Sequence, residues 1–383
     1  MRRTIFRKFY RFLKGIHKIS SASSKSFLFI AFDFWKLYKQ KGITTEEYFQ
    51  FEMEYRDVEF RNSFLGLNEQ RFYLDYLNPK KYYILARNKY FTHKILDNTG
   101  IKKSDLYCYY QPEGKVLDST EVANNVGDVI RILKNKKISQ CVVKTTESSS
   151  GNDVFVVNDI SYTENDCKMQ LFDGTEIYLS SFLSNTPLIF ESLIHQTEQL
   201  SSLNTSSVNT IRFMTTLHPN GDAKIIATFI KIGRSGKCVD NAGSGGNVDA
   251  CIDTETGEIK YTIQFDGWRK IKNITHHPDS GNQVEGIKIK DWKNIKSQVI
   301  DFQRSFPYIK AAGWDIAITD EGPLVIEVND MWDRTGQYFI RKGWRKEIRE
   351  CYFAWEKTGV KYPFVRANNL LSKKKLEKII SYE

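Results

Sequence analysis

Residues Gly313–Met331 read GWDIAITDEGPLVIEVNDM. Two apolar, β-branched runs, Trp314–Thr319 and Leu324–Val328, flank Asp320–Pro323. The acidic, Gly- and Pro-containing middle is a turn signal, so the stretch predicts a β-hairpin. With the turn centred on Glu321, Asp315 falls opposite Glu327, and alternate residues share a face. One face then carries Asp315, Ala317, Val325, Glu327 and Asn329. The other carries Trp314, Ile316, Ile318, Leu324, Ile326 and Val328 and requires a core.

Two carboxylates held side by side resist joint ionisation. A cation between them removes the conflict, and hard oxygen ligands suit Mg²⁺, which keeps waters and completes its shell with substrate phosphates. A plain hairpin with a solvated acidic face would show the same pattern. The choice between the two rests on the remainder of the chain.

The chain has 383 residues, 41% hydrophobic and 14% aromatic, which suits a globular protein of two or three domains. Its net charge of +10 suggests an anionic partner. The six cysteines are scattered without a CxxC pair, excluding a disulfide framework or zinc site and pointing to reduced thiols. Ser26–Trp35 (SFLFIAFDFW) is too short for a membrane span and contains Asp33. The basic N-terminus, MRRTIFRKFYRFLKGIHK, lacks the core and cleavage site of a secretory signal. It reads as a basic amphipathic helix, with Ile5, Phe9, Phe12, Leu13 and Ile16 on one side. Such a helix either contacts an anionic membrane or packs on its own domain.

Residues 1–80 are helical in texture. Tyr82–Leu85 is a short strand candidate and Asn88–Leu96 a helix. Val126–Lys134 is a further helix. Ser139–Lys144 and Val154–Val157 form a hairpin with a small polar tip, Ser148, Ser149, Ser150 and Gly151, beside Lys144. Backbone amides in such a tip make an anion nest, although an exposed turn has the same composition. Pro187–Glu191 is a strand that leads into a helix. Val208–Leu217 and Ala223–Ile232 form another hairpin, placing Arg212, Met214 and Thr216 on one face. Arg212 in a half-buried strand demands an acidic neighbour or a phosphate. The glycine-rich Gly233–Asp249 reads as a loop open to close approach by a ligand. Asp291–Phe306, Trp344–Trp355 and Ser372–Ile380 are helices.

Four blocks together resemble the ATP-grasp superfamily, most closely its sugar-transfer-associated branch from polysaccharide biosynthesis. They are NKYFTHKILDNTGI (88–101), CVVKTTESSSGNDVFVV (141–157), SSVNTIRFMTTL (206–217) and GWDIAITDEGPLVIEVN (313–329). The D…E-x-N pattern of the last block is the most specific, and the likeness extends from Tyr82 to Lys342. It implies an α+β fold in which two subdomains clasp ATP, behind a helical N-terminal region. The implied division is 1–80 helical, 81–136 N-terminal subdomain, 137–195 lid, 196–345 central subdomain with the metal site, and 346–383 C-terminal helices.

The resemblance also implies roles. Lys89 and Lys144 would contact ATP phosphates, with Asn88 where the family has Asp. Ser148, Ser149, Ser150 and Gly151 would form the phosphate loop. Glu191, Ser192, Leu193 and Ile194 would form the hinge that reads adenine, and Glu198 would reach the ribose. Asp315, Glu327 and Asn329 would hold Mg²⁺. Arg212 would neutralise the transferring phosphate, with Arg234 and Asn241 as substrate or phosphate contacts. Asp333, Arg334 and Gln337 follow the metal motif closely enough to face an acceptor.

The expected activity is carboxylate–amine ligation through an acyl-phosphate, joining an amino acid or amine to a uronic acid during capsule, exopolysaccharide or O-antigen synthesis. Kinase action on a sugar hydroxyl and a non-catalytic ATP-grasp module are the alternatives. The expected substrate is a small molecule or glycan, free or lipid-linked, with no nucleic acid partner. The expected location is cytoplasmic, with contact to the inner membrane face through the N-terminal helix.

Overall fold

The computed structural model describes residues 2–360, apart from 115–118, 148–152 and 241–245. The chain opens with seven helices: α1 (Arg2–Ser21), α2 (Phe27–Lys41), α3 (Thr45–Gln50), α4 (Val58–Ser63), α5 (Leu67–Leu77), α6 (Ile84–Arg87) and α7 (Lys89–Leu96). Thr44 and Glu47 make a reciprocal capping box that starts α3, and Asp57 caps α4. The strand expected over Tyr82–Leu85 is instead a 3₁₀ turn running into α6. Four apolar residues are too few for a period to show. Tyr82, Leu85 and Ala86 pack together into a core at helical spacing, which decides the matter.

A first sheet follows, built from β1 (Leu106–Tyr110), β2 (Val122–Ala123), β3 (Cys141–Thr145), β4 (Val154–Tyr162), β5 (Cys167–Leu171), β6 (Glu176–Tyr178) and β7 (Leu188–Glu191). Its order is β2-β1-β7-β3-β4-β5-β6. β1 pairs with β7, so the expected boundary at 136/137 cuts through one continuous sheet. α8 (Val126–Asn135) buries Val129, Ile130 and Leu133 in the core beneath it, while α9 (Leu179–Phe182) follows β6.

After α10 (Glu198–Ser201), the second sheet forms from β8 (Thr210–Leu217), β9 (Ala223–Ile232), β10 (Val248–Ile252), β11 (Ile259–Phe265), β12 (Ile271–Asn273), β13 (Ala311–Thr319) and β14 (Gly322–Asn329). The order is β12-β11-β10-β9-β8-β13-β14, antiparallel throughout. One face packs against α11 (Trp292–Ser305), through Ile295, Val299 and Phe302. Trp314 lies wholly inside this core, 5.9 Å from the Phe306 ring, with its indole N–H donated to Thr215 Oγ1 at 3.0 Å. Truncating such a residue to alanine costs about 3–5 kcal/mol.

The opposite face is divided along its strands. At one end Met214, Ala227 and Phe229 join Tyr73, Leu74, Trp344 and Ile348 in a second core. That core draws on α5, α12 (Thr335–Phe339) and α13 (Arg345–Glu356). The helical N-terminal region is thereby fastened to the body. Asn78 Nδ2 donates to Ala311 O and Asp330 O at 2.7 and 2.6 Å, and Gln70 Nε2 donates to Trp332 O at 2.8 Å. Gly343 lies so close to the Ser63 carbonyl that a Cβ has no room there. The other end of the same face carries charged residues.

Candidate active site

The expected hairpin is β13–β14, and Asp315 pairs with Glu327 in its register. Closer to the turn, Ile316 pairs with Val325 and Thr319 with Gly322, leaving Ile326 as a bulged extra residue. The bulge exchanges two expected faces. Val325 enters the core, while Ile326 lines a cleft beside Glu327.

This cleft, of about 380 Å³, has walls from both sheets. Val142, Val154 and Val156 from the first sheet, with Ile194 and Ile326, give it an apolar end. The charged end is a row across the second sheet, because directly paired residues share a face. Asp249 pairs with Lys231, Lys231 with Thr210, Arg212 with Asp315, and Asp315 with Glu327. Arg212 grips Asp315 with a two-pronged bond, Nε to Oδ1 and Nη2 to Oδ2, each 2.7 Å. Lys231 Nζ sits 3.1 Å from Asp315 Oδ1. Burial pushes the Asp315 carboxyl up, but Arg212 and Lys231 overcome it and hold the group well below the usual range.

Glu327 has the opposite setting. It makes no hydrogen bond or ion pair with the described residues. Burial, and then the neighbouring Asp315 charge, push its carboxyl up. Asn329 donates Nδ2 to Gly313 O at 3.3 Å, which leaves its amide oxygen as an acceptor. An unpaired carboxylate and an amide oxygen on one hairpin fit a hard divalent cation. Among the described residues no group of three or more His, Cys, Asp or Glu is close enough to hold a metal. Glu327 and Asn329 would therefore supply two ligands. Asp315, engaged by Arg212 and Lys231, would join through the remaining lone pair of Oδ2.

The opposite wall holds Lys144 and Lys89. Lys144 Nζ contacts Glu191 Oε1, and Glu191 Oε2 is met by His93 Nε2 at 3.0 Å and Ser104 Oγ at 2.9 Å. Burial raises the Glu191 carboxyl, yet the Lys144 charge and the His93 contact bring it down to about 2. Lys89 opens α7. Asn88 caps that helix by accepting Phe91 N–H at 3.2 Å, as an aspartate would, and Lys89 N–H donates to Thr146 O at 2.9 Å. Burial lowers the Lys89 ammonium, while Glu327 raises it and Lys144 adds to the lowering. Both lysines line the cleft together with Glu327 and Asn329.

A sequence model of sugar-transfer associated ATP-grasp proteins matches residues 68–350. The chain belongs to the sugar-transfer associated ATP-grasp family. No curated protein matches it. The N5-carboxyaminoimidazole ribonucleotide synthetase of Thermotoga maritima is 12% identical, with a TM-score of 0.39 over 72% of this chain and 52% of the synthetase. The D-alanine–D-alanine ligase of Bacillus anthracis is 15% identical, with a TM-score of 0.38 over 72% of this chain and 70% of the ligase. The phosphoribosylamine–glycine ligase of Thermotoga maritima is 10% identical, with a TM-score of 0.41 over 74% and 57%. This chain thus spans about half the length of the synthetase (52%).

Within this ATP-grasp cleft the structure gathers Lys89, Lys144, Glu191, Ser192, Ile194, Arg212, Asp315, Glu327 and Asn329. The Glu191 side chain is engaged by Lys144, His93 and Ser104, and Ser192 N–H donates to Asp105 O at 2.9 Å. The Glu191 side chain and the Ser192 N–H of the expected hinge are thus engaged within the chain. Leu193 and Glu198 stand off the cleft lining, with Glu198 exposed at the start of α10.

Arg234 is also elsewhere. Its fork is closed on Asp279 at 2.7 and 2.6 Å, and its third nitrogen donates to Gly246 O at 2.8 Å. Arg212, expected at a phosphate, has its acidic neighbour instead. Ser148, Ser149, Ser150, Gly151 and Asn241 lie outside the described residues. Of the three residues after the motif, Asp333 lines the cleft. Arg334 pairs with Glu47 at 3.1 Å, and Gln337 is buried, bonded both ways to the Leu65 backbone.

Sequence reasoning missed Lys231, Asp240 and Asp249. Asp240 lines the cleft and accepts Thr210 N–H at 2.9 Å. Asp249 is wholly buried with both oxygens unpartnered among the described residues, and burial pushes its carboxyl up to about 7 against the pull of Lys231. Lys231 was within reach: it lies one hairpin across from Arg212, on the same face. Asp249 was not, because the glycines before it read as a continuing loop.

Proposed function

We propose that the chain is an ATP-dependent carboxylate–amine ligase that works through an acyl-phosphate. Its acceptor would be a uronic acid of a cell-surface glycan, free or lipid-linked, and its donor an amine or amino acid. The observation that carries this reading is the unpartnered Glu327 carboxylate, set beside Asp315 in the cleft that Lys89 and Lys144 line. The family name supports sugar chemistry.

In this reading the apolar end, with Ile326 and the valines of β3 and β4, takes the adenine. Lys89 and Lys144 spread positive charge along the triphosphate. Glu327 and Asn329 would hold Mg²⁺, which would neutralise charge on the phosphate oxygens. A substrate carboxylate oxygen attacks the γ-phosphorus, the bond to ADP breaks, and an acyl-phosphate forms. The amine then attacks the carbonyl, phosphate leaves and the amine nitrogen loses its proton. No protein nucleophile takes part; burial pushes the thiol of Cys238, which lines the cleft, upward, away from the reactive thiolate.

The test is ADP release by the purified chain with Mg²⁺, ATP and panels of uronic acids and amines. Release that requires both partners, with an amide in the mass spectrum, is the expected result. A stable sugar phosphate without an amine requirement would replace ligation with kinase chemistry. Failure to bind ATP in the presence of Mg²⁺ would reduce the chain to a binding module.

A further inference from the structure

α2 is apolar on both sides. Its inner stripe, Ile30, Phe34 and Leu37, is buried in a core with Ile16 and Ile19 of α1. Its outer stripe, Leu28, Phe32 and Trp35, recurs at i, i+4 and i+7 and is 78%, 69% and 52% exposed. A helix facing water on one side ordinarily carries polar residues there.

Two of the charged groups of α2 are turned inward. Asp33, its one acidic residue, accepts from Tyr48 Oη at 2.6 Å and from Arg61 at 2.8 and 3.0 Å. Lys41 is buried and donates to Asn62 O at 2.7 Å. The charges left outside are Lys36 and Lys39, with the Lys39 ammonium 5.5 Å above the Trp35 ring.

Charge is distributed accordingly. The first 41 residues hold 11 of the 56 basic residues and one of the 46 acidic ones. They account for the entire net charge of +10, and the other 342 residues balance at 45 of each sign. The basic excess of this protein is therefore a property of α1, α2 and the turn between them, and not of the cleft. Large exposed apolar side chains flanked by Lys36 and Lys39, with no exposed acidic residue on the same helix, match the boundary between headgroups and acyl chains of an anionic membrane. A second copy of the chain would bring the same positive charge against this face and be repelled. No helix among the described residues is long and apolar enough to cross a membrane, so α2 would lie in the plane of the interface.

We propose that the outer face of α2 docks the protein on an anionic lipid bilayer, with Leu28, Phe32 and Trp35 seated in the interface and Lys36 and Lys39 on the headgroups. The experiment is co-sedimentation of the full chain with phosphatidylcholine vesicles, with and without about one-third phosphatidylglycerol. The wild type should bind the anionic vesicles, bind neutral ones poorly and be weakened by salt. Phe32→Ser/Trp35→Ser should lose roughly ten-fold or more in partitioning, with unchanged ATP binding and melting temperature. Lys36→Glu/Lys39→Glu should lose anionic binding too, and it decides the matter if the serine variant does not fold. Absence of wild-type binding, equal binding to both vesicles, or undiminished binding by folded variants would overturn the proposal. So would a vesicle-free dimer that Phe32→Ser/Trp35→Ser dissociates, because the face would then belong to a second copy.

Discussion

Glu191 and Glu327 line one cleft from two sheets, and they are opposites. Glu191 closes β7 with both oxygens occupied by Lys144, His93 and Ser104, and its carboxyl is drawn down to about 2. Glu327 stands on β14 with no hydrogen bond to the described residues, and burial, then the neighbouring charge of Asp315, push its carboxyl up. Desolvation acts on both; only the partners differ. A buried carboxylate with a full set of donors is architecture, here the anchor that aims Lys144. One left without donors in a cleft lined with cations has a place for something the chain does not supply.

The sharpest way to break that contrast is to neutralise each glutamate. Glu327→Gln keeps the shape and removes one charge from a pair that repels. ATP turnover with Mg²⁺ is expected to fall roughly 10³-fold or more, because several kcal/mol of charge stabilisation are lost. Its melting temperature should hold or rise. Turnover near the wild-type rate in an ADP-release assay would dismiss the metal assignment.

Glu191→Ala should do the reverse damage first. It strands the Lys144 ammonium in a buried site, and breaking such a pair costs about 3–5 kcal/mol of stability. Denaturant unfolding should show that loss directly. A loss below about 1 kcal/mol, the level of an exposed pair, would mean that Glu191 is less tightly held than its three contacts imply.

The facing of these groups was legible to different depths. Asp315 opposite Glu327 followed from period-2 alternation and one turn signal, both local. The bulge at Ile326 was not legible, since the turn closes on Asp320–Glu321 and the register recovers only by inserting a residue. Arg212's demand for a partner was visible, but choosing Asp315 over a phosphate required β8 to lie beside β13, nearly a hundred residues apart in sequence. The Glu191 cluster depends on α7 meeting β7 and β3, which no spacing announces. Residues 106–191 form one sheet whose short strands β2 and β5 carry too little pattern to be counted.

A third carboxylate extends the contrast beyond the cleft lining. Asp249, at the far end of the charged row, has both oxygens unpartnered among the described residues, and burial lifts its carboxyl to about 7. The unfolded chain would release that proton near pH 4. Between these values the folded state binds more protons than the unfolded one, so stability falls as pH rises from about 4 through about 7. Asp249→Asn removes the titration. The variant should match the wild type near pH 4 and exceed it at pH 8 by up to about 4 kcal/mol, read from melting curves across that range. Parallel curves for the two proteins would mean that Lys231 already pairs with Asp249 in solution. Asp249 would then belong with Glu191, among the carboxylates the fold has satisfied for itself.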